Sequence, residues 1–238
     1  MPSPRSSDGS ADISIVKDAV SKIGGNKIVV IKSTVPPGTT ENFQKEYPDH
    51  KLLFNPEFLT EKNAWNYFAK PDRQLVGWTS QSRNEAKDVL NILPNAALAS
   101  PSDGLDISAT EAEIIKYAAN VFLARKVTFA NAIHALAEHH QANFDNIRKG
   151  VGADPRIGQS HLDVHYQGYR GYGGYCFTKD TDALISHLEN CGLMEAAALF
   201  HRDRKFNEAT LASQGLTPED VSLHDHEWIK NKQNDFRD

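Results

Sequence analysis

Lys27-Ile28-Val29-Val30-Ile31-Lys32-Ser33-Thr34-Val35-Pro36-Pro37-Gly38-Thr39-Thr40 decides how the first hundred residues are read. Its β-branched run is almost continuously apolar, as strands buried on both faces are. Two prolines forbid the strand to continue, and Thr39 or Thr40 can cap a helix over residues 41–46. Upstream, Ile13, Val16, Ala19, Val20 and Ile23 recur at helical spacing before Gly24-Gly25 stops the helix. Downstream, strands are expected at 52–54 and 74–78 and helices at 60–68 and 81–93. Strands alternating with helices imply parallel α/β layering. In such sheets ligands bind where loops leave the C-terminal ends of the strands, here Ser33-Thr34 and Asn55-Pro56-Glu57.

The 238 residues can bury a core as one large domain or two small ones. No apolar run approaches the ~20 residues of a membrane span, and residues 1–11 are polar rather than a signal sequence. Two cysteines make no disulfide framework, which points to a reducing cytoplasm. A net charge of −5 with scattered cations argues against nucleic acid. The 10 histidines lack sets of carboxylate or cysteine partners, so no metal is expected.

Between residues 108 and 141 there is neither proline nor glycine, and apolar residues recur from Ile114 to Ala137. One helix on the order of 50 Å long follows, too long for one small lobe to cover. It is expected to run between two lobes or against a second subunit. Further helices are expected at 143–149, 180–189 and 194–212. Residues 217–238 read as a polar tail with one loosely held helix.

Chemistry concentrates in Gly171-Tyr172-Gly173-Gly174-Tyr175-Cys176-Phe177-Thr178-Lys179-Asp180. Three glycines before a thiol suggest a loop fitted around something bound. A helix starting near Asp180 would put Cys176 at its positive end, with Lys179 adding to the field. The residues alone equally allow a small buried cysteine beside a flexible loop. Lys116 and Asn120, four apart, share a helix face and could address an oxyanion, or Glu113 and Lys116 could be a solvated ion pair. Glu57 and Glu61 could orient water or favour a helix start, and Arg156 sits in a rigid turn suited to phosphate or sugar and equally to a surface loop.

Five ordered motifs carry a resemblance. Lys32-Ser33-Thr34-Val35-Pro36-Pro37-Gly38-Thr39-Thr40, Asn55-Pro56-Glu57-Phe58-Leu59, Lys116-Tyr117-x-x-Asn120, residues 150–158 and residues 171–180 resemble the UDP-glucose 6-dehydrogenase family over about residues 2–207. The fold implied is α/β: an incomplete Rossmann-like parallel sheet over residues 1–105, lacking its glycine-rich half. An all-helical central dimerisation domain with a long connecting helix follows over 106–215, then a tail over 216–238. The resemblance implies oxidation of UDP-glucose, or a related nucleotide sugar, to the C6 carboxylate by two NAD⁺. Cys176 would form a thiohemiacetal and then a thioester. Lys116 and Asn120 would stabilise the oxyanion, Asp180 with water and Thr34 would assist proton transfer, and Glu57 would help hydrolyse the thioester. Phe58, Leu59, Thr60, Gly173 and Phe177 would line the substrate, and Arg156 would reach a neighbouring subunit's substrate in a homodimer. Thr34, Glu61 and Lys179 would lie near the nicotinamide. The family's Gly-x-Gly-x-x-Gly turn and its last α/β domain have no counterpart here. The expectation is therefore a chain truncated at both ends with weak NAD binding of its own, and the alternative is an inactive homologue serving as a dimeric interaction module.

Overall fold

The computed structural model describes residues 6, 9–58, 64–165 and 168–237, which fall into two compact units, Met1–Ala118 and Ala119–Asp238. In the first, the β-branched run is β1 (Ile28–Ile31), paired in parallel with β2 (Lys51–Phe54) from Ile28↔Lys51 to Ile31↔Phe54. Gly38, with φ of 87°, starts α2 (Thr39–Glu46) in a backbone conformation that favours glycine. Buried Gln44 ties this helix to the sheet, accepting from the Leu52 amide at 2.9 Å and donating to the His50 carbonyl at 2.8 Å. Before β1, α1 (Ser14–Ser21) buries Val16 and Val20 in a core with Ile31, Phe43, Leu52 and Phe54.

The single strand expected at 74–78 is two. β3 (Arg73–Leu75) pairs in parallel with β5 (Leu98–Ser100), whereas β4 (Gly77–Trp78) pairs antiparallel with β2. The expected parallel layering holds in β1–β2 and in a separate two-stranded sheet of β3 and β5, and only β4 makes the three-stranded sheet mixed. The strand is interrupted at buried Val76, and Gly77 packs closely on the start of the long helix, where a Cβ would stand 2.6 Å from the Ser108 carbonyl oxygen. α3 covers Ala64–Ala69 and α4 Ala86–Ile92; the latter begins later than expected because Ser82 bonds Thr79 and Leu52 instead of entering a helix.

The long helix is α5 (Ala109–His139), 31 residues, opened by a reciprocal pair in which Ser108 N donates to Glu111 and Glu111 N to Ser108 Oγ. The second unit continues with α6 (Phe144–Gly152), α7 (Gly174–Asn190) and α8 (Met194–Ala212). The expected polar tail is instead α9 (Pro218–Leu223), with a complete Thr217/Asp220 capping box, and α10 (His226–Arg237). Leu216, Val221 and Ile229 from this segment join Tyr169 and Leu211 in a buried cluster. Spaced singly among polar residues, those apolar side chains show no strong periodicity in the sequence.

Candidate active site

In the first unit, polar side chains gather where β1 and β2 end. Lys32 donates to Asn55 Oδ1 at 2.5 Å and lies 3.3 Å from Glu57 Oε1. Asn55, fully buried, donates in turn to Gln74 Oε1 at 3.2 Å and the Leu75 carbonyl at 2.8 Å, so the loop carrying Glu57 and Phe58 is fixed to the sheet. Lys116, only 8% exposed, donates to the Glu57 carbonyl at 2.6 Å, and its ammonium stands 5.6 Å from the Phe58 ring centroid. The Arg73 guanidinium lies 3.7 Å from the same centroid, and burial holds its pKa below the ordinary value. Thr34, half-buried, sits on the loop leaving β1. The expected positions Leu59, Thr60 and Glu61 lie outside the described residues.

The alternative of a solvated Glu113–Lys116 pair is overturned. Glu113 is fully buried and accepts from Gly38 N at 2.6 Å, Thr40 N at 2.9 Å and Thr40 Oγ1 at 2.6 Å, closing the N-terminus of α2. Burial raises its pKa to about 7 against the opposing pull of these hydrogen bonds. Helical spacing cannot reveal a partner more than seventy residues away.

In the second unit, α7 begins at Gly174, earlier than the expected start near Asp180. Cys176 therefore lies in its first turn, exposed, rather than just before it. Buried Asp180 follows one turn later on the same face. One of its oxygens accepts from Asn120 Nδ2 at 2.6 Å and the other from Lys179 Nζ at 2.5 Å. Lys179 is thus a buried counter-ion to Asp180, with its ammonium 6.0 Å from the Tyr175 ring centroid. Phe177 packs against His161, whose backbone takes a positive φ of 63°, with ring centroids 5.8 Å apart. Arg156 is 87% exposed and paired with Asp154 at 2.6 Å. Gly173 is needed by the chain itself: a Cβ there would meet the Tyr169 hydroxyl at 2.2 Å and Val221 at 2.7 Å.

The sequence reading gave no role to Arg73, Asn207 or Gln214. Arg73 had a local signal in its place beside a strand, whereas the other two act across the fold on backbone atoms. Among the described residues no group of three or more His, Cys, Asp or Glu is placed to hold a metal, and no helix is long and apolar enough to cross a membrane.

A parallel β-α-β edge with fixed polar groups, and a helical unit presenting a thiol at a helix N-terminus, define an α/β chain of the dinucleotide-linked dehydrogenase type. Residues 1–92 match the UDP-glucose/GDP-mannose dehydrogenase family NAD binding domain, and residues 110–209 match its central domain. The chain belongs to this family. It is 35% identical over 236 residues to the UDP-glucose 6-dehydrogenase of Rickettsia felis, covering 92% of this chain and 51% of that protein. It is 36% identical over 215 residues to that of Rhizobium meliloti, covering 84% and 48%. A solved UDP-glucose dehydrogenase from Pyrobaculum islandicum superimposes with a TM-score of 0.74 at 35% identity, over 88% of this chain and 49% of that one. The chain spans about half the length of the curated relatives it matches.

NAD is the cofactor of the matched domain. Thr34 and Glu57 lie at the C-terminal edge of the parallel strands, where a dinucleotide is held in such sheets. The N-terminus of α2, the natural place for a phosphate, is already filled by Glu113.

Proposed function

We propose that the chain carries the thiol chemistry of a nucleotide-sugar 6-dehydrogenase acting on UDP-glucose. The supporting observation is the start of α7, where exposed Cys176 precedes Asp180, itself fixed through both oxygens by Asn120 and Lys179. NAD⁺ supplies the hydride acceptor for both oxidations. In this reading the Cys176 thiolate adds to the C6 aldehyde, the thiohemiacetal loses a hydride to become a thioester, and water releases the carboxylate and the thiol. Lys116 and Asn120 stabilise the oxyanion. Asp180, held as a carboxylate acceptor, takes a proton through water with Thr34, and Glu57, steadied by Lys32, directs the hydrolytic water. Phe58 and Phe177 line the nucleotide sugar, and Thr34 and Lys179 border the nicotinamide. In a test with UDP-glucose and NAD⁺, two NADH form per sugar, and Cys176→Ser fails to form UDP-glucuronate. UDP-glucuronate made by that variant at the wild-type rate would sink the reading. The filled α2 N-terminus favours a second reading, an inactive module, which absence of any NADH from the wild-type chain would support.

The same proposal includes a homodimer. Phe122, Phe129 and Leu136 recur every seven residues along α5 and are 62%, 53% and 55% exposed. Such a stripe is suited to pairing with its own copy about a two-fold axis. Arg156, turned out to solvent, is free of its own unit's core and suits a neighbour's substrate. Sedimentation equilibrium reads a dimer for the wild type and a monomer for Phe129→Glu; a wild-type monomer at high micromolar concentration contradicts the interface.

A further inference from the structure

We infer that Asn207 and Gln214 are positioning residues for the thiol, holding residues 170–172 in one backbone conformation, bent at Gly171, and thereby fixing how the chain enters α7. Asn207 accepts from Tyr172 N at 2.7 Å and donates to the Tyr172 carbonyl at 3.0 Å. Gln214 accepts from Arg170 N at 2.8 Å and donates to the Arg170 carbonyl at 2.9 Å, while also donating to Thr210 O at 2.8 Å on its own helix. Each amide is thus a two-bond rung closing on one residue, and the two amides, seven residues apart in the chain, stand on either side of the bend at Gly171.

The residue between the rungs must be small. At Gly171, φ is +104° and an added Cβ would lie 2.8 Å from Asn207 Oδ1 and 3.3 Å from Leu211 Cδ2. Between the clamp and Gly174, the first residue of α7, stands only Gly173, which has no side chain of its own to set the entry direction. The later part of α7 is held independently, by the burial of Thr181, Asp182, Ala183 and Ile185. Loosening the clamp is therefore expected to disorder the turn that bears Cys176 before it unfolds the helix.

The inference rests on the thiol reading, yet its test needs no turnover. Tyr172 amide exchange reports the clamp, and the pH–rate profile of Cys176 alkylation by iodoacetamide reports the thiol, with Cys191 as internal reference. Asn207→Ala is expected to speed Tyr172 exchange roughly tenfold or more. The same variant lowers the Cys176:Cys191 rate ratio by about threefold and moves the Cys176 midpoint to higher pH. Asn207→Asp keeps the acceptor and falls between, and Gln214→Ala, one rung further from the thiol, has the smaller effect. Faster Tyr172 exchange with an unchanged Cys176 profile overturns the inference, as does unchanged exchange. If Asn207→Ala does not fold, the same two readouts on Asn207→Asp and Gln214→Ala decide. A wild-type Cys176 no faster than Cys191 counts against the thiol reading instead, while Tyr172 exchange still reads the clamp.

Discussion

At the start of α2, Gly38 and Thr40 amides point into the buried carboxylate of Glu113; at the start of α7, no side chain caps the helix and no acidic residue lies in the first turn, where Cys176 is exposed. Both helices follow a glycine, and both concentrate unsatisfied N–H groups and positive potential at that end. In α2 the potential is neutralised inside the protein and serves as a joint between a loop and α5. In α7 it remains directed at a thiol, so the stabilisation it offers goes to negative charge on sulfur. The same kind of helix end is thus closed by a buried carboxylate in one unit and carries a thiol in its first turn in the other, according to whether a carboxylate arrives from elsewhere in the chain.

The largest effect is expected at the filled end. Glu113→Ala leaves the Gly38 and Thr40 amides without their acceptor in a buried setting, at a cost of about 2–4 kcal/mol in urea denaturation at pH 5. Because the folded pKa of about 7 lies above the ordinary 4.5, the native state binds the extra proton between them. The stability linked to Glu113 is fully present below pH 4.5 and is lost as pH rises through 7, by up to about 3 kcal/mol. The gap between wild type and variant should therefore narrow from pH 5 to pH 8; a constant gap would show that Glu113 does not titrate in this range.

A smaller effect tests the other end. Cys176 and Cys191 are both exposed, but one lies in the first turn of α7 and the other at its C-cap. Brief alkylation at neutral pH followed by peptide mapping should label Cys176 faster, by roughly 3–10-fold. Equal rates would remove the contrast between the two helix ends.

Much of this was legible in the sequence where the signal is local. The β-branched run gave β1, and the absence of proline and glycine gave α5 within two residues at each end. The motif residues Glu57, Phe58 and Lys116 meet in the first unit, and Asn120 meets Asp180 in the second. What was missed depends on distance along the chain. The expected start of α7 near Asp180 is late because the glycine-rich stretch reads as a loop fitted around something bound, whereas Gly174 is already the first helical residue, where low propensity matters little. Glu113 looked like the partner of Lys116 because spacing along one helix reveals neighbours on that helix and nothing beyond it. The glycines before Cys176 suggested room for a ligand, whereas Gly171 and Gly173 are filled by Asn207, Leu211, Tyr169 and Val221 of the chain itself.

The two cysteines, the only ones in the sequence, stand at opposite ends of a single helix. Fifteen residues of rise separate them, about 22 Å along the axis. The protein thus carries a natural molecular ruler: paired spin labels or fluorophores attached without any engineered residue would follow the length of α7, and fraying of the turn that holds Cys176 would register as a broadened distance rather than as a lost activity.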